Sequence, residues 1–231
     1  MLFRCIVADP PWSFSDSLTM ADTKRGASSN YDTLSIEDLK NLPVKDLCED
    51  DAVLVLWVPS SLLSEGLEVM KAWGFRQTQT IVWVKTKKES LKNLHLKIVP
   101  VIQNLLGNKK SDTNILKGIL NSFSLSSILG FGMGRLFRQT HELAIVGVRG
   151  KIYGFLQNKS QRSVHFFPST KHSTKPEALQ DMLDVMFPGS KKLELFARRD
   201  RSGWICAGNE CPSTISEDIR DSIDRLKKAC I

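Results

Sequence analysis

Several short stretches of this chain are apolar at nearly every position, where a strand with one wet face would alternate. LFRCIVA at 2–8, DAVLVLWV at 51–58, TIVWVK at 80–85, ELAIVGVR at 142–149, KLELFA at 192–197 and the run from Trp204 to Gly208 are of this kind. Runs of this length and character are strands buried on both faces, the mark of a mostly parallel sheet. Helical stretches lie between them. Ser35 caps one, with Asp38 in the capping-box position; a second follows Pro59-Ser60 and closes at Gly74. A third covers Lys175 to Phe187, with Pro176 suited to a first helical position. In the last, Ser213 is the expected cap, and Ile215, Ile219, Ile223, Leu226 and Cys230 fall on one stripe. The alternation predicts an α/β fold, a mostly parallel sheet with helices on both faces. Such sheets place their sites beyond the carboxyl ends of the strands.

The chain's 231 residues suffice for one domain, read here as 1–231. Residues 86–129 break the alternation. They are rich in Leu, Lys, Ser and Asn, are interrupted by Pro100, Gly107 and Gly118, and read as a lysine-rich insertion of short helices. Net charge is +7, and the segment from Lys85 to Lys117 alone carries a local excess of +6. Lysines so placed suit phosphate neutralisation, which dominates nucleic-acid affinity. Lys85, Lys87, Lys88 and Lys92 are the candidates, and a solvated helical face is the plainer reading of the same run. The five cysteines are odd in number and lack C-x-x-C spacing, which argues for reduced thiols over a disulfide framework or zinc site. His141, His165 and His172 show no metal-ligand spacing with Cys or Asp. GFGMG at 130–134 follows no clear strand and is not a dinucleotide loop.

Asp9-Pro10-Pro11-Trp12, directly after the first strand, carries the chemistry. Two prolines fix φ and remove two backbone donors. The turn offers only acceptors, the Asp9 carboxylate and the Pro10 carbonyl, beside the flat face of Trp12. That combination suits an amino group on a planar ring. Two acceptors holding both hydrogens would aim the nitrogen lone pair at an electrophilic methyl, so catalysis would rest on positioning and electrostatics. Trp57, Trp73 and Trp83 lie inside strand or helix patterns and read as core.

At these residues the sequence resembles the DPPW-type adenine-N6 methyltransferases, the family of the messenger-RNA adenosine methyltransferase's catalytic subunit and of phage and bacterial DNA enzymes. The resemblance runs from about Leu2 to Glu210. It rests on ordered blocks: ADPPW at 8–12, NYDTLS at 30–35, LVLWV at 54–58, WGF at 73–75, IVWVKT at 81–86, HELAIVGVRG at 141–150, STKPE at 173–177, PGSKKLELFARR at 188–199 and GWICAGNE at 203–210. It implies a Rossmann-like fold of permuted motif order that uses S-adenosylmethionine. It also implies that Asp9, Pro10, Pro11 and Trp12 are catalytic, with Trp12 stacking on adenine, and that Tyr31, Glu142 and Lys175 line the base pocket. Ile6, Val7, Ala8, Asp9, Lys175, Glu194, Phe196, Arg198, Asn209 and Glu210 would contact the cofactor. Glu210 stands where the messenger-RNA enzyme has Gln, and Arg199-Asp200-Arg201 departs from the pattern.

The resulting expectation is N6 methylation of adenine in DNA by a monomer or homodimer, with or without a partner subunit, in a bacterial or phage-infected cytoplasm. RNA is the first alternative substrate, and cytosine N4 a lesser one that Asp9 disfavours. A non-catalytic nucleic-acid-binding subunit is the alternative from another class; the intact Asp9 to Trp12 motif argues against it.

Overall fold

Strand β1 (Phe3–Ala8) is buried along nearly its whole length and is paired on both edges. It runs parallel to β2 (Cys48–Val58) on one side and to β6 (Lys192–Leu195) on the other, and β6 runs parallel to β7 (Ile205–Ala207). β2 pairs antiparallel with β4 (His141–Arg149), and β3 (Arg76–Thr86) pairs parallel with β5 (Val164–Pro168). The hydrogen-bonded order is β5-β3-β4-β2-β1-β6-β7. The sheet is therefore mixed and mostly parallel, as the unbroken apolar runs require. This computed structural model describes residues 2–13, 33–88, 128–130, 132, 136–169 and 174–229. The expected helical insertion at 86–129 lies almost wholly outside them. Packing divides the chain into two compact units: Met1–Ile81, Leu143–Ser163 and Glu177–Ile231 form one, Val82–Glu142 and Val164–Pro176 the other.

In the first unit the helix ends follow local chemistry. α1 (Ile36–Asn41) is capped by Ser35, whose hydroxyl accepts from the Asp38 N–H at 3.0 Å. α2 (Leu63–Ala72) closes at Gly74, which has φ +83°. The Gly74 N–H reaches the Lys71 carbonyl and the Phe75 N–H reaches that of Met70, the paired bonds of a Schellman ending. α3 (Ala178–Met186) starts after Lys175-Pro176, not at them. The cap of α4 (Ile219–Lys228) is Asp218, not Ser213, and its carboxylate accepts from the Arg220 N–H at 2.8 Å. Ser213 lies in a separate 3₁₀ turn, and Ser216 at φ 61° breaks the chain between the two, leaving Ile215 exposed.

Side chains alternate across the sheet. Ile6, Ala8, Leu54, Leu56, Leu193 and Leu195 join Leu39, Val69, Met70, Trp73, Ile223 and Leu226 in one core. Lys192 and Glu194, alternating with the leucines of β6, point to the opposite face, where α3 meets them: Lys192 Nζ lies 3.3 Å from Asp184, and Gln180 hydrogen-bonds Glu194. In the second unit Trp83 is anchored by its indole N–H on the Phe167 carbonyl at 3.0 Å. The Lys85 N–H donates to Thr140 and its carbonyl accepts from Gly130, both at 2.8 Å.

Candidate active site

The parallel registers of β1, β6 and β7 end together. Ala8 is level with Leu195, and Leu195 with Ala207, so Asp9, Phe196 and Gly208 emerge side by side at one edge of the first unit. The Asp9 N–H reaches the Leu195 carbonyl at 3.4 Å, and the Ala197 N–H reaches that of Ala207 at 2.9 Å. Phe196 has φ 60°, a left-handed conformation that L residues rarely hold and that recurs at functional sites. It swings the chain off β6 toward Gly208, where a Cβ would stand 2.3 Å from the Ala197 carbonyl oxygen. Only glycine permits that approach. The Thr214 hydroxyl accepts from the Gly208 N–H and donates to the Gly208 carbonyl, which fixes the turn.

The Asp-Pro-Pro-Trp turn is held from within. The Trp12 N–H donates to the Pro10 carbonyl at 2.9 Å, leaving one lone pair of that oxygen for a ligand. The Trp12 side chain is 4% exposed and packs in the core, with its indole N–H on the Trp57 carbonyl at 2.9 Å. The ring expected to stack on a base instead anchors the turn. Pro11 accepts from the Leu34 N–H and Leu34 from that of Ser13, which ties together the chain on either side of residues 14–32. Tyr31 falls outside the described residues.

Ile6, Val7 and Ala8 are buried β1 residues whose main chain leads into Asp9. Beside that edge, Arg198 and Glu210 approach to 3.9 Å and Asn209 is exposed. These groups offer acceptors for a diol, a cation for a carboxylate and an amide for either. Asp9 adds an anion suited to a sulfonium, so the donor set fits S-adenosylmethionine. Glu194 sits differently. Its Oε2 is buried without a hydrogen-bond partner, as is the Oε1 of Gln180. Burial pushes its carboxyl above the ordinary value; the bond from Gln180 and the charge of Arg199 oppose this, and Asp9 adds to the rise.

Sequence reasoning missed what holds the arginine-rich loop after β6. Arg201 reaches Glu177 at 2.9 Å, Asp181 at 2.6 Å and Asp184 at 2.9 Å, and Arg199 reaches Glu177 at 2.9 Å. The signal was present: three acids at helical spacing on α3 form one anionic stripe, and Arg199 and Arg201 alternate opposite it.

In the second unit Glu142, at the start of β4, bridges two cations. Lys85 Nζ lies 2.6 Å from Oε1 and Lys175 Nζ lies 3.1 Å from Oε2. Burial pushes the Glu142 carboxyl up, but the charge of Lys175 and the hydrogen bond from Lys85 outweigh it and hold the carboxyl below its ordinary value. Glu142 and Lys175 are thus brought together as an ion pair. Lys85, read from the sequence as a phosphate contact, is committed to Glu142. Lys87 and Lys88 are exposed, and Lys92 lies outside the described residues. Among the described residues no group of His, Cys, Asp and Glu could hold a metal, and no helix is long and apolar enough to cross a membrane.

A mostly parallel sheet, with an acceptor-only turn after β1 and the β6–β7 edge beside it, defines the Rossmann-like methyltransferase class. The MT-A70 family model matches residues 3–122 and 124–210, and the chain belongs to that family. It is 28% identical over 211 residues to the human N(6)-adenosine-methyltransferase catalytic subunit METTL3, covering 90% of this chain and 28% of that protein. An Arabidopsis thaliana N(6)-adenosine-methyltransferase MT-A70-like protein is 23% identical, over 94% of this chain and 25% of its own length. The Type II methyltransferase M.MunI of a Mycoplasma species is 25% identical, over 97% of this chain and 85% of its own. The chain thus spans about a quarter of the length of these adenosine-methyltransferase relatives.

Proposed function

We propose that this chain transfers a methyl group from S-adenosylmethionine to the exocyclic N6 of adenine in nucleic acid, with DNA as the polymer. The observation that carries the reading is the Asp9-Pro10 turn emerging level with Phe196 and Gly208. Asp9 and the remaining lone pair of Pro10 hold the two hydrogens of the amine and turn its lone pair outward. Neither proline nor a carboxylate offers a competing donor. Phe196, Arg198, Asn209 and Glu210, with the main chain of Ile6 to Ala8, hold the cofactor, which when bound supplies an electrophilic methyl. Glu142 and Lys175 serve the base pocket, and Lys87, Lys88 and Lys92 the phosphates. DNA is favoured because the match to the Type II methyltransferase covers most of both chains. The matches named for adenosine N6 methylation support RNA as the second reading.

The test is methyl transfer from labelled S-adenosylmethionine by wild type and Asp9→Ala. Unmethylated duplex DNA, single-stranded DNA and RNA serve as substrates, and modified bases are read by mass spectrometry. N6-methyladenine in DNA, made by wild type alone, is expected. Transfer only to RNA replaces the polymer, N4-methylcytosine replaces the base, and absence of both transfer and cofactor binding leaves a binding subunit.

A further inference from the structure

Two side chains of the first unit, Glu194 on β6 and Gln180 on α3, have no part in the reading above, and each lacks a partner at one oxygen. Gln180 is 2% exposed and hydrogen-bonds Glu194. Beyond that bond, the Oε2 of Glu194 and the Oε1 of Gln180 are buried without a hydrogen-bond partner. Both orphans are acceptors, so with the carboxyl ionised neither can satisfy the other. Buried polar groups left in that state are unfavourable, and charged ones more so. One proton answers both. A carboxylic acid and a primary amide have matching faces: the amide N–H donates to one carboxyl oxygen while the acid O–H donates to the amide oxygen.

The surroundings favour that proton. Burial raises the Glu194 carboxyl; the bond from Gln180 and the charges of Arg199 and Arg201 oppose the rise, and the charge of Asp9 adds to it. Those arginines are themselves paired with Glu177, Asp181 and Asp184 of α3. Lys192, two residues back on β6, is taken by Asp184. β7 brings Cys206 level with Glu194, and burial pushes that thiol up to about 12, so it adds no charge. Val7 of β1 is also level with Glu194, and the Asp9 turn opens two residues further on. The influence of Asp9 on Glu194 is reciprocal. A cation that offsets Asp9 eases the ionisation of Glu194, and an ionised Glu194 strengthens the hold on the cation.

We propose that Gln180 and Glu194 form an acid–amide pair that senses charge at Asp9: the pair keeps its proton beside a neutral thioether and releases it to solvent beside a sulfonium. Glu194 is then a specificity residue acting through Asp9, and it favours the methyl donor over the spent S-adenosylhomocysteine. This rests on the S-adenosylmethionine reading given above.

The test uses the whole chain as wild type, Glu194→Gln and Gln180→Leu. Infrared difference spectra just above the ordinary carboxyl value of 4.5 read the proton directly. A protonated-carboxyl stretch is expected in wild type, absent from Glu194→Gln and moved to higher frequency in Gln180→Leu, where the amide is gone. Calorimetric titrations in buffers of different ionisation heat then count protons. Wild type is expected to release more protons on binding S-adenosylmethionine than on binding S-adenosylhomocysteine. Its preference for the former should rise about three- to tenfold as pH climbs through the raised carboxyl value. Glu194→Gln is expected to lose both the extra release and the rise. Absence of the band, or equal proton counts for the two ligands, overturns the pair's role and leaves the methyltransferase reading standing. Equal loss of both affinities in a Glu194→Gln chain that still melts cooperatively overturns it too, since Glu194 would then be a direct cofactor ligand. A wild type that binds neither ligand overturns the functional reading and this inference with it.

Discussion

Glu142 and Lys85 form a half-buried ion pair of 2.6 Å, and the second oxygen of the same carboxylate meets Lys175 at 3.1 Å. The central member of such a triad is worth more than either arm. Glu142→Gln leaves two half-buried ammonium groups facing each other, whereas Lys85→Ala leaves Glu142 paired with Lys175. Breaking a fully buried pair costs about 3–5 kcal/mol and a surface pair at most about 1. With all three side chains partly exposed, Glu142→Gln is expected to cost about 1–3 kcal/mol and Lys85→Ala less. Urea unfolding of both variants checks the order, and a larger loss for Lys85→Ala sinks it.

Two of the perturbed carboxyls, Glu142 and Glu194, predict opposite pH behaviour. Glu142 is held below its ordinary value of 4.5. Its pairing is therefore fully present above that value and is lost only as pH falls through the lower folded value. Burial raises Glu194 above 4.5, so its ionisation weakens the fold as pH rises from the ordinary value through the raised one. Glu194→Gln removes that charge and supplies a donor to the buried, unpartnered Oε1 of Gln180. The variant's melting temperature is expected to gain on wild type as pH rises above the ordinary carboxyl value of 4.5, the range in which the ionised acid is the destabilising form. A constant difference across that range would show that Glu194 does not titrate there.

Gly208 and Arg201 predict two separable ways of damaging the β6–β7 edge. Gly208→Ala places a methyl 2.3 Å from the Ala197 carbonyl oxygen and 2.6 Å from its nitrogen, both backbone atoms. Such overpacking typically costs about 1–3 kcal/mol, and the strands must separate where the cofactor is expected to bind. Both stability and S-adenosylhomocysteine affinity should fall. Arg201→Ala releases the loop from α3, whose acids Glu177, Asp181 and Asp184 are substantially exposed. Its cost should be smaller, about 1 kcal/mol, with Arg201→Lys recovering the charge but not the planar fork. Calorimetric binding beside thermal melts separates the two; unchanged affinity in Gly208→Ala would remove that edge from the cofactor site.

Most of this arrangement was legible in the chain, because it follows from local rules. Unbroken apolar runs gave six of the seven strands, and Ser35 and Gly74 gave two helix ends; β5, VHFFP, has no such run and was not read. Asp-Pro-Pro-Trp gave a rigid acceptor turn. What escaped reading depends on distant partners. Trp12 looked like a platform because sequence cannot show that the Trp57 carbonyl lies within reach of its indole. Lys85 looked like a phosphate contact because the acid that pairs with it comes 57 positions later. Ser213 looked like a cap because Ser and Asp218 compete for that role, and only the left-handed Ser216 decides between them.

Asp9→Asn is the sharpest probe of the chemistry, since it preserves size and changes only what the side chain offers. The carboxylate presents acceptors alone, whereas the amide can turn a donor toward the amine hydrogens. The turn's internal bonds, from Trp12 to Pro10 and from Leu34 to Pro11, are main-chain and should survive. Loss of one preorganised electrostatic partner typically lowers kcat by about 10²–10³, and that range is expected here, with little change in melting temperature. S-adenosylhomocysteine has no sulfonium charge, so its affinity should change less than that of S-adenosylmethionine. Parallel loss of both affinities would make Asp9 chiefly a cofactor ligand, whereas a kcat near wild type would take the carboxylate out of the reaction altogether.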